Sequence, residues 1–182
     1  MIIENTTLPE VKVIVPEVFS DERGYFLETY QKNKFIEAKI PHKFHQDNEV
    51  KSKKHTIRGL HYQLKNPQGK LVRAVLGEIL DVAVDIRSGS PNFGKFVSMI
   101  LTEKNKKMLF IPEGFAHGYG VLSEESIVVY KCTNVYNVKN EYGIIWNDPN
   151  ININWGIENP IISSKDITLP KLIEQKKLPK FK

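Results

Sequence analysis

The chain has 182 residues, 41% hydrophobic and 26% charged, with a formal net charge of +5. That length suits one domain with a substantial buried core. Most of the excess charge sits in the final stretch Lys171 to Lys182, five lysines against one glutamate, so a nucleic-acid surface on the body is not expected.

The opening Met1-Ile2-Ile3-Glu4-Asn5 lacks the basic and apolar regions of a secretion signal. No run approaches the ~18 apolar residues of a membrane span. Cys132 is the only cysteine, which rules out an internal disulfide and fits a reducing, cytoplasmic setting. Val11 to Val15 forms the first expected strand, stopped by Pro16. The turn Asp21-Glu22-Arg23-Gly24 leads into a second, Tyr25 to Tyr30, and Gln31 to Ala38 suits a short helix. Further strands are expected near 44–49, 55–63, 70–76, 78–86, 95–102, 107–111, 118–122 and 126–132. Gly77, Gly89, Gly94, Gly114 and Gly143 fall at the intervening turns. Between Glu78 and Ile86 the alternation puts Leu80, Val82, Val84 and Ile86 on one face and Asp81 and Asp85 on the other. Residues 163–176 predict one or two short helices, the second opened by Pro170, and 170–182 form a basic tail. Many short strands and few helices imply an all-β sandwich or barrel, one domain over 1–182.

The chemistry concentrates in Arg58-Gly59-Leu60-His61-Tyr62-Gln63 and Gln68-Gly69-Lys70-Leu71-Val72-Arg73. An imidazole moves protons near neutral pH, and cations beside it hold an anion or enolate. His61 is the candidate general base; the plainer alternative is a histidine hydrogen-bonded within its strand. Arg58 and His61 would point to opposite faces of a regular strand, and a bulge at Gly59 would bring both to one cavity. Tyr130 shares a strand face with Ser126, Val128 and Cys132. It is either packing or, if its hydroxyl reaches the cavity opposite His61, a general acid. Cys132 in that apolar strand is expected to be buried and inert. Asp166 is either a helix cap or a partner that orients His61. Gln46-Asp47-Asn48 suits a turn or a polar cluster for a hydroxylated ligand.

Pro112-x-Gly114-x-x-His117 resembles the second motif of the cupin barrels, many of which bind a metal with an upstream H-x-H pair and a glutamate. Upstream only His61 is present, and His42, His45 and His55 have no ligand spacing, so no metal is expected. Taken in order, the motifs closely resemble the dTDP-4-dehydrorhamnose 3,5-epimerase family of nucleotide-sugar enzymes. The resemblance also covers Asp85-Ile86-Arg87, Ser90-Pro91-x-Phe93-Gly94, Trp146-x-Asp148-Pro149 and Ser164-Lys165-Asp166. It implies a cupin-like jelly-roll barrel with a few short peripheral helices, free of metal and cofactor. The implied catalytic residues are His61 as base, Asp166 as its dyad partner, Tyr130 as proton donor and Lys70 beside the keto oxygen. Arg23, Glu28, Gln46, Asn48, Arg58, His117, Glu141 and Lys165 match substrate-contacting positions, and Tyr136 the residue that stacks on the nucleotide base. The family's dimers exchange an N-terminal segment, which would carry Arg23 to the neighbouring site. The implied reaction is epimerisation at C3 and C5 of a dTDP-4-keto-6-deoxyhexose. The alternatives are a single-carbon epimerase, an enzyme for another sugar such as a GDP-linked heptose, a metal-dependent cupin oxygenase and a non-catalytic nucleotide or sugar binder.

Overall fold

In a computed structural model, residues 1–41 and 43–181 are described; His42, weighed above as a ligand, and Lys182 of the tail lie outside them. Among the described residues the first half forms β1 (Ile2–Asn5), β2 (Lys12–Val15), β3 (Val18–Asp21), β4 (Gly24–Leu27), α1 (Lys32–Glu37), β5 (Gln46–Lys53), β6 (Ile57–Gln63) and β7 (Lys70–Leu76). β8 (Glu78–Asp85), β9 (Phe96–Thr102), β10 (Met108–Ile111), β11 (Phe115–Val121), β12 (Glu125–Cys132) and β13 (Glu141–Gly143) follow. One antiparallel sheet runs β1-β2-β10-β7-β12-β5, and a second runs β13-β6-β11-β8-β9. β3 and β4 form a separate hairpin.

Side-chain alternation decides what lies between the sheets. Val72, Leu109 and Val128 of the first sheet meet Ile79, Ala83, Tyr119 and Val121 of the second in a single buried cluster. Lys70 shares the parity of Val72, and Tyr130 that of Val128, so both side chains also point inward. The second sheet is covered on its outer face too: Leu80, Val82, Val84 and Ile86 pack with Ile57 and Leu60 beneath Ile151, Trp155 and Leu172. The apolar face of β8 therefore looks out to the C-terminal layer, and Asp81 looks into the barrel.

On the first sheet's outer face, Phe35 of α1 is fully buried against Ile14, Leu71, Met108 and Phe110. The helix starts where Gln31 Oε1 accepts the Lys34 N–H at 2.8 Å, and it ends at Lys39, whose φ is 56°.

Three strands escape the alternation pattern. β1 and β3 are short and largely exposed, and β13 has three residues paired to β6. The helices expected over 163–176 are instead two 3₁₀ turns, Asp166–Thr168 and Leu172–Glu174, with Pro170 between them. Pro170 cannot supply a backbone donor to carry one turn into the next. Gly143 is not at a turn: a Cβ there would lie 2.6 Å from Leu169 Cδ1 and 2.9 Å from the Leu60 carbonyl, so the glycine permits close strand packing.

The basic tail is fastened to the sheet. Tyr62 Oη donates to the Lys177 carbonyl at 2.9 Å, and the Ser88 N–H donates to the Pro179 carbonyl at 2.8 Å. Phe181 lies on the Arg87 guanidinium, 4.8 Å from ring centroid to carbon.

Candidate active site

β6 reaches the barrel interior through an irregularity. Arg58 pairs with Tyr119 and His61 with His117, so three steps along β6 match two along β11. That extra residue is the bulge expected at Gly59, whose φ is 120°. Because Tyr119 and His117 share a face, Arg58 and His61 do as well; the expected single cavity does not follow, since Arg58 lines a neighbouring cleft and not the cavity of His61. Gly59 lies against Gly118: a Cβ on Gly59 would be 2.6 Å from Gly118 Cα.

His61 and Tyr130 come from facing sheets and line one cavity of about 260 Å³, with Gln46, Asn48, Lys70, Tyr136 and Glu141. Asp166, 4% exposed, opens its 3₁₀ turn directly behind β6. Its Oδ1 is 2.8 Å from His61 Nε2, and its Oδ2 accepts the Gly59 N–H at 3.3 Å. Burial pushes this carboxyl up, but the hydrogen bond and charge of His61, with Gly59 and Ser163, outweigh it and hold it below its ordinary value. An Nε2–H donated to Asp166 leaves the imidazole lone pair on Nδ1. Asp166 is thus both the first residue of a helical turn and the partner of His61.

The Lys70 ammonium makes no hydrogen bond or ion pair among the described residues, while its backbone pairs within the sheet. Burial pushes its ammonium down, opposed by Cys132, Asp81 and Glu141. Burial also pushes the Tyr130 phenol up to about 12, with Cys132 and Tyr119 adding and Arg58 opposing. Such a hydroxyl keeps its proton at neutral pH and can donate it. Cys132 is buried, with Asn48 Nδ2 at 3.6 Å from its sulfur, and burial pushes the thiol up.

The outer end of the cavity is a bonded rim. Tyr136 Oη donates to Glu141 Oε2 at 2.7 Å, and Lys165 Nζ bonds the same oxygen. The Tyr136 N–H donates to Gln46 Oε1 at 2.7 Å, and Gln46 Nε2 donates to Asn48 Oδ1 at 2.8 Å. Tyr136 as a whole is 48% exposed.

The remaining site residues lie elsewhere. His117 is buried one strand from His61, with Nε2 2.7 Å from Asp81 Oδ1. Arg58 Nε donates to Ser52 Oγ at 3.0 Å, and Arg58 lines an adjoining cleft that also touches Asp166. Arg23 sits at the exposed turn between β3 and β4, forked onto Asp21, and Glu28 pairs with Lys34 at 2.8 Å. Neither Arg23 nor Glu28 lines the cavity. Among the described residues no group of three or more His, Cys, Asp or Glu could hold a metal ion. No helix of the described residues is long and apolar enough to cross a membrane.

Residues without an assigned role in the sequence also reach the site. Tyr62, Gln63 and Gln68 line the cavity. Gln63 Oε1 accepts the Asn137 N–H at 2.7 Å and so holds the loop that carries Tyr136. Asp81 binds His117; its signal was its place on the polar face of an otherwise apolar strand.

The profile of the family described as dTDP-4-dehydrorhamnose 3,5-epimerase matches residues 5–174. A dTDP-4-dehydrorhamnose 3,5-epimerase of Shigella flexneri is 51% identical over 173 residues, covering 93% of this chain and 94% of that protein. A crystal structure of dTDP-6-deoxy-D-glucose-3,5-epimerase from Legionella pneumophila, in complex with dTDP-4-keto-L-rhamnose, superposes with a TM-score of 0.96. It is 43% identical and covers 99% of this chain and 98% of its own. The Bacillus anthracis dTDP-4-dehydrorhamnose 3,5-epimerase, with TDP and PPi bound, gives a TM-score of 0.90 at 38% identity, covering 93% and 98%.

Proposed function

The chain belongs to the dTDP-4-dehydrorhamnose 3,5-epimerase family, and on that footing we propose that it inverts C3 and C5 of a dTDP-linked 4-keto-6-deoxyhexose. The product of dTDP-4-dehydro-6-deoxyglucose is then dTDP-4-dehydrorhamnose. The observation that carries the mechanism is the placement of His61 and Tyr130 on facing sheets of one cavity, with Lys70 in the same lining. A sugar ring lodged there presents one face to a base and the other to an acid.

C3 and C5 both flank the C4 ketone, so removal of either proton gives an enolate. His61, oriented by Asp166, takes the proton, and the electron pair moves onto the C4 oxygen. Lys70 stabilises that oxyanion as a preorganised charge. Tyr130 returns a proton to the carbon from the other face, which inverts it. His61 then holds an extra proton and Tyr130 lacks one; exchange through solvent resets the pair before the second carbon reacts. Each step moves protons alone, so no redox cofactor is needed.

Arg58 and Lys165 bind the diphosphate, with Arg donors suited to paired bonds on phosphate oxygens. Tyr136 stacks on the base, and Gln46, Asn48, His117 and Glu141 contact the substrate. The whole chain acts as one domain in a cytoplasmic homodimer. The hairpin of β3 and β4 supports that assembly: Phe19 is 54% and Phe26 67% exposed, and Arg23, forked onto Asp21, stands at its exposed turn.

Incubation with dTDP-4-keto-6-deoxyglucose in deuterium oxide, followed by NMR, tests the reaction. Deuterium at both C3 and C5 with inverted product is expected. Label at one carbon would convert the proposal to a single-carbon epimerase, and no label would reject this substrate.

A further inference from the structure

The proposed chemistry leaves Asp81, a buried acid inside the barrel, unused. Asp81 stands on β8 opposite Tyr119 of β11, with its apolar neighbours Ile79 and Ala83 on the same inward face. It is 0% exposed. Its Oδ1 lies 2.7 Å from His117 Nε2, while its Oδ2 is buried and has no hydrogen-bond partner among the described residues. A buried carboxylate with one idle oxygen is costly unless a positive charge compensates it, and a hydrophobic residue there would pack at less cost.

We propose that Asp81 is a positioning residue of this active site, its carboxylate holding the His117 imidazole and acting as the counter-charge of the Lys70 ammonium. The inference rests on the function proposed above, in which Lys70 meets the enolate oxygen.

Elimination among the groups around Lys70 supports the assignment. Titratable groups that interact with it come from four strands: Cys132 on β12, Asp81 on β8, Glu141 on β13 and His117 on β11. Burial pushes the Cys132 thiol up, so it stays neutral at pH 7. Burial pushes the His117 imidazole down, with Asp81 opposing and Lys70 adding, so it too is neutral there. Glu141 is already engaged by Tyr136 and Lys165 at the rim. Asp81 is the carboxylate left to balance a desolvated ammonium. The same bond fixes the His117 ring, since an Nε2–H donated to Asp81 leaves Nδ1 as its acceptor.

Asp81→Asn keeps an acceptor for His117 and removes only the charge. It is expected to lower kcat on the order of 10²-fold, the loss seen when one preorganised oxyanion donor is removed, with KM near wild type. The alkaline limb of the kcat profile should move to lower pH, because the carboxylate that favours the charged form of Lys70 is gone. ¹⁵N NMR of Lys70 Nζ in the folded variant should show the same downward movement, which a packing role would not cause. An unmoved Lys70 titration in folded Asp81→Asn overturns the inference whatever the fall in kcat. If that variant does not fold, His117→Gln decides. It retains the Asp81 charge, so it should lose activity while its alkaline limb does not move down; a downward shift would overturn the assignment. Wild-type turnover is the separate check on the parent proposal. Should wild type exchange C3 and C5 while Lys70 titrates identically in both proteins, this inference alone fails.

Discussion

Gly59→Ala isolates the backbone geometry that delivers His61 to the cavity. A Cβ on Gly59 would sit 2.6 Å from Gly118 Cα and 2.7 Å from the His117 carbonyl oxygen. Ordinary contact begins at 3.4 Å, so β6 and β11 must part by roughly 0.8 Å, the difference between the two distances. Both close neighbours are backbone, and no side chain can swing away. The shift falls two residues from His61 and on the amide that donates to Asp166 Oδ2. Misplacement of a reacting group by ~1 Å costs on the order of 10²-fold in rate. The φ of 120° adds backbone strain of about 1–3 kcal/mol for a residue with a side chain. Steady-state kcat from deuterium incorporation, beside Tm from thermal unfolding, separates the two effects. Gly89→Ala is the control: its φ is 89°, but a Cβ there meets nothing within 4 Å. Gly89→Ala should lower Tm with kcat preserved, and Gly59→Ala should lower both. A Gly59→Ala enzyme with wild-type kcat would refute the claim that this close approach positions the base.

His61→Ala should lose ~10²–10⁴-fold in kcat, the usual scale for a general base; near-wild-type turnover would remove it from that role. Tyr130→Phe should still wash substrate protons into deuterium oxide yet give little inverted product, which NMR of the recovered sugar will show. Asp85 supplies a pH dependence of stability. Its burial pushes the carboxyl up, but bonds from Arg87 and Ser90 outweigh this and hold it below the ordinary aspartate value. A folded value below the unfolded one means the stabilisation is complete above the unfolded value and disappears as pH falls through the folded one. Asp85→Asn should therefore lower Tm at pH 7 and narrow the gap to wild type in strong acid; an equal loss at both pH values would contradict the linkage.

Much of the fold was legible because most strands are half-buried and alternate. The strands of the barrel proper, β2 and β5 to β12, appear near their expected places, with boundaries moved by a few residues. β1 and β13 were hidden by their length, since three or four residues carry no periodicity. β3 was hidden by its surroundings: Val18 and Phe19 are adjacent and exposed, so neither alternation nor burial marks it. Its only strand partner among the described residues is β4, in a hairpin apart from both sheets.

The site was legible where chemistry is local and obscure where it depends on the third dimension. His61, Lys70 and Tyr130 stand out because an imidazole, an ammonium and a phenol are unusual on inward faces of apolar strands. Asp166 was ambiguous since a helix-start aspartate has a sufficient local explanation; only the meeting with β6, 105 residues away in sequence, adds the second role. Asp81 is the most instructive case. Alternation separates Leu80, Val82, Val84 and Ile86 from Asp81 and Asp85, and the usual rule sends the apolar set to the core and the acids to water. Here the C-terminal layer covers the apolar set from outside, through Ile151, Trp155 and Leu172. Both faces of β8 are thereby buried, and the acidic face is released for the barrel interior. The proposed reaction asks one barrel to hold an imidazole base, an ammonium and an enolate, which needs polar groups within, and an outer apolar layer is what allows a strand to supply them without losing its packing.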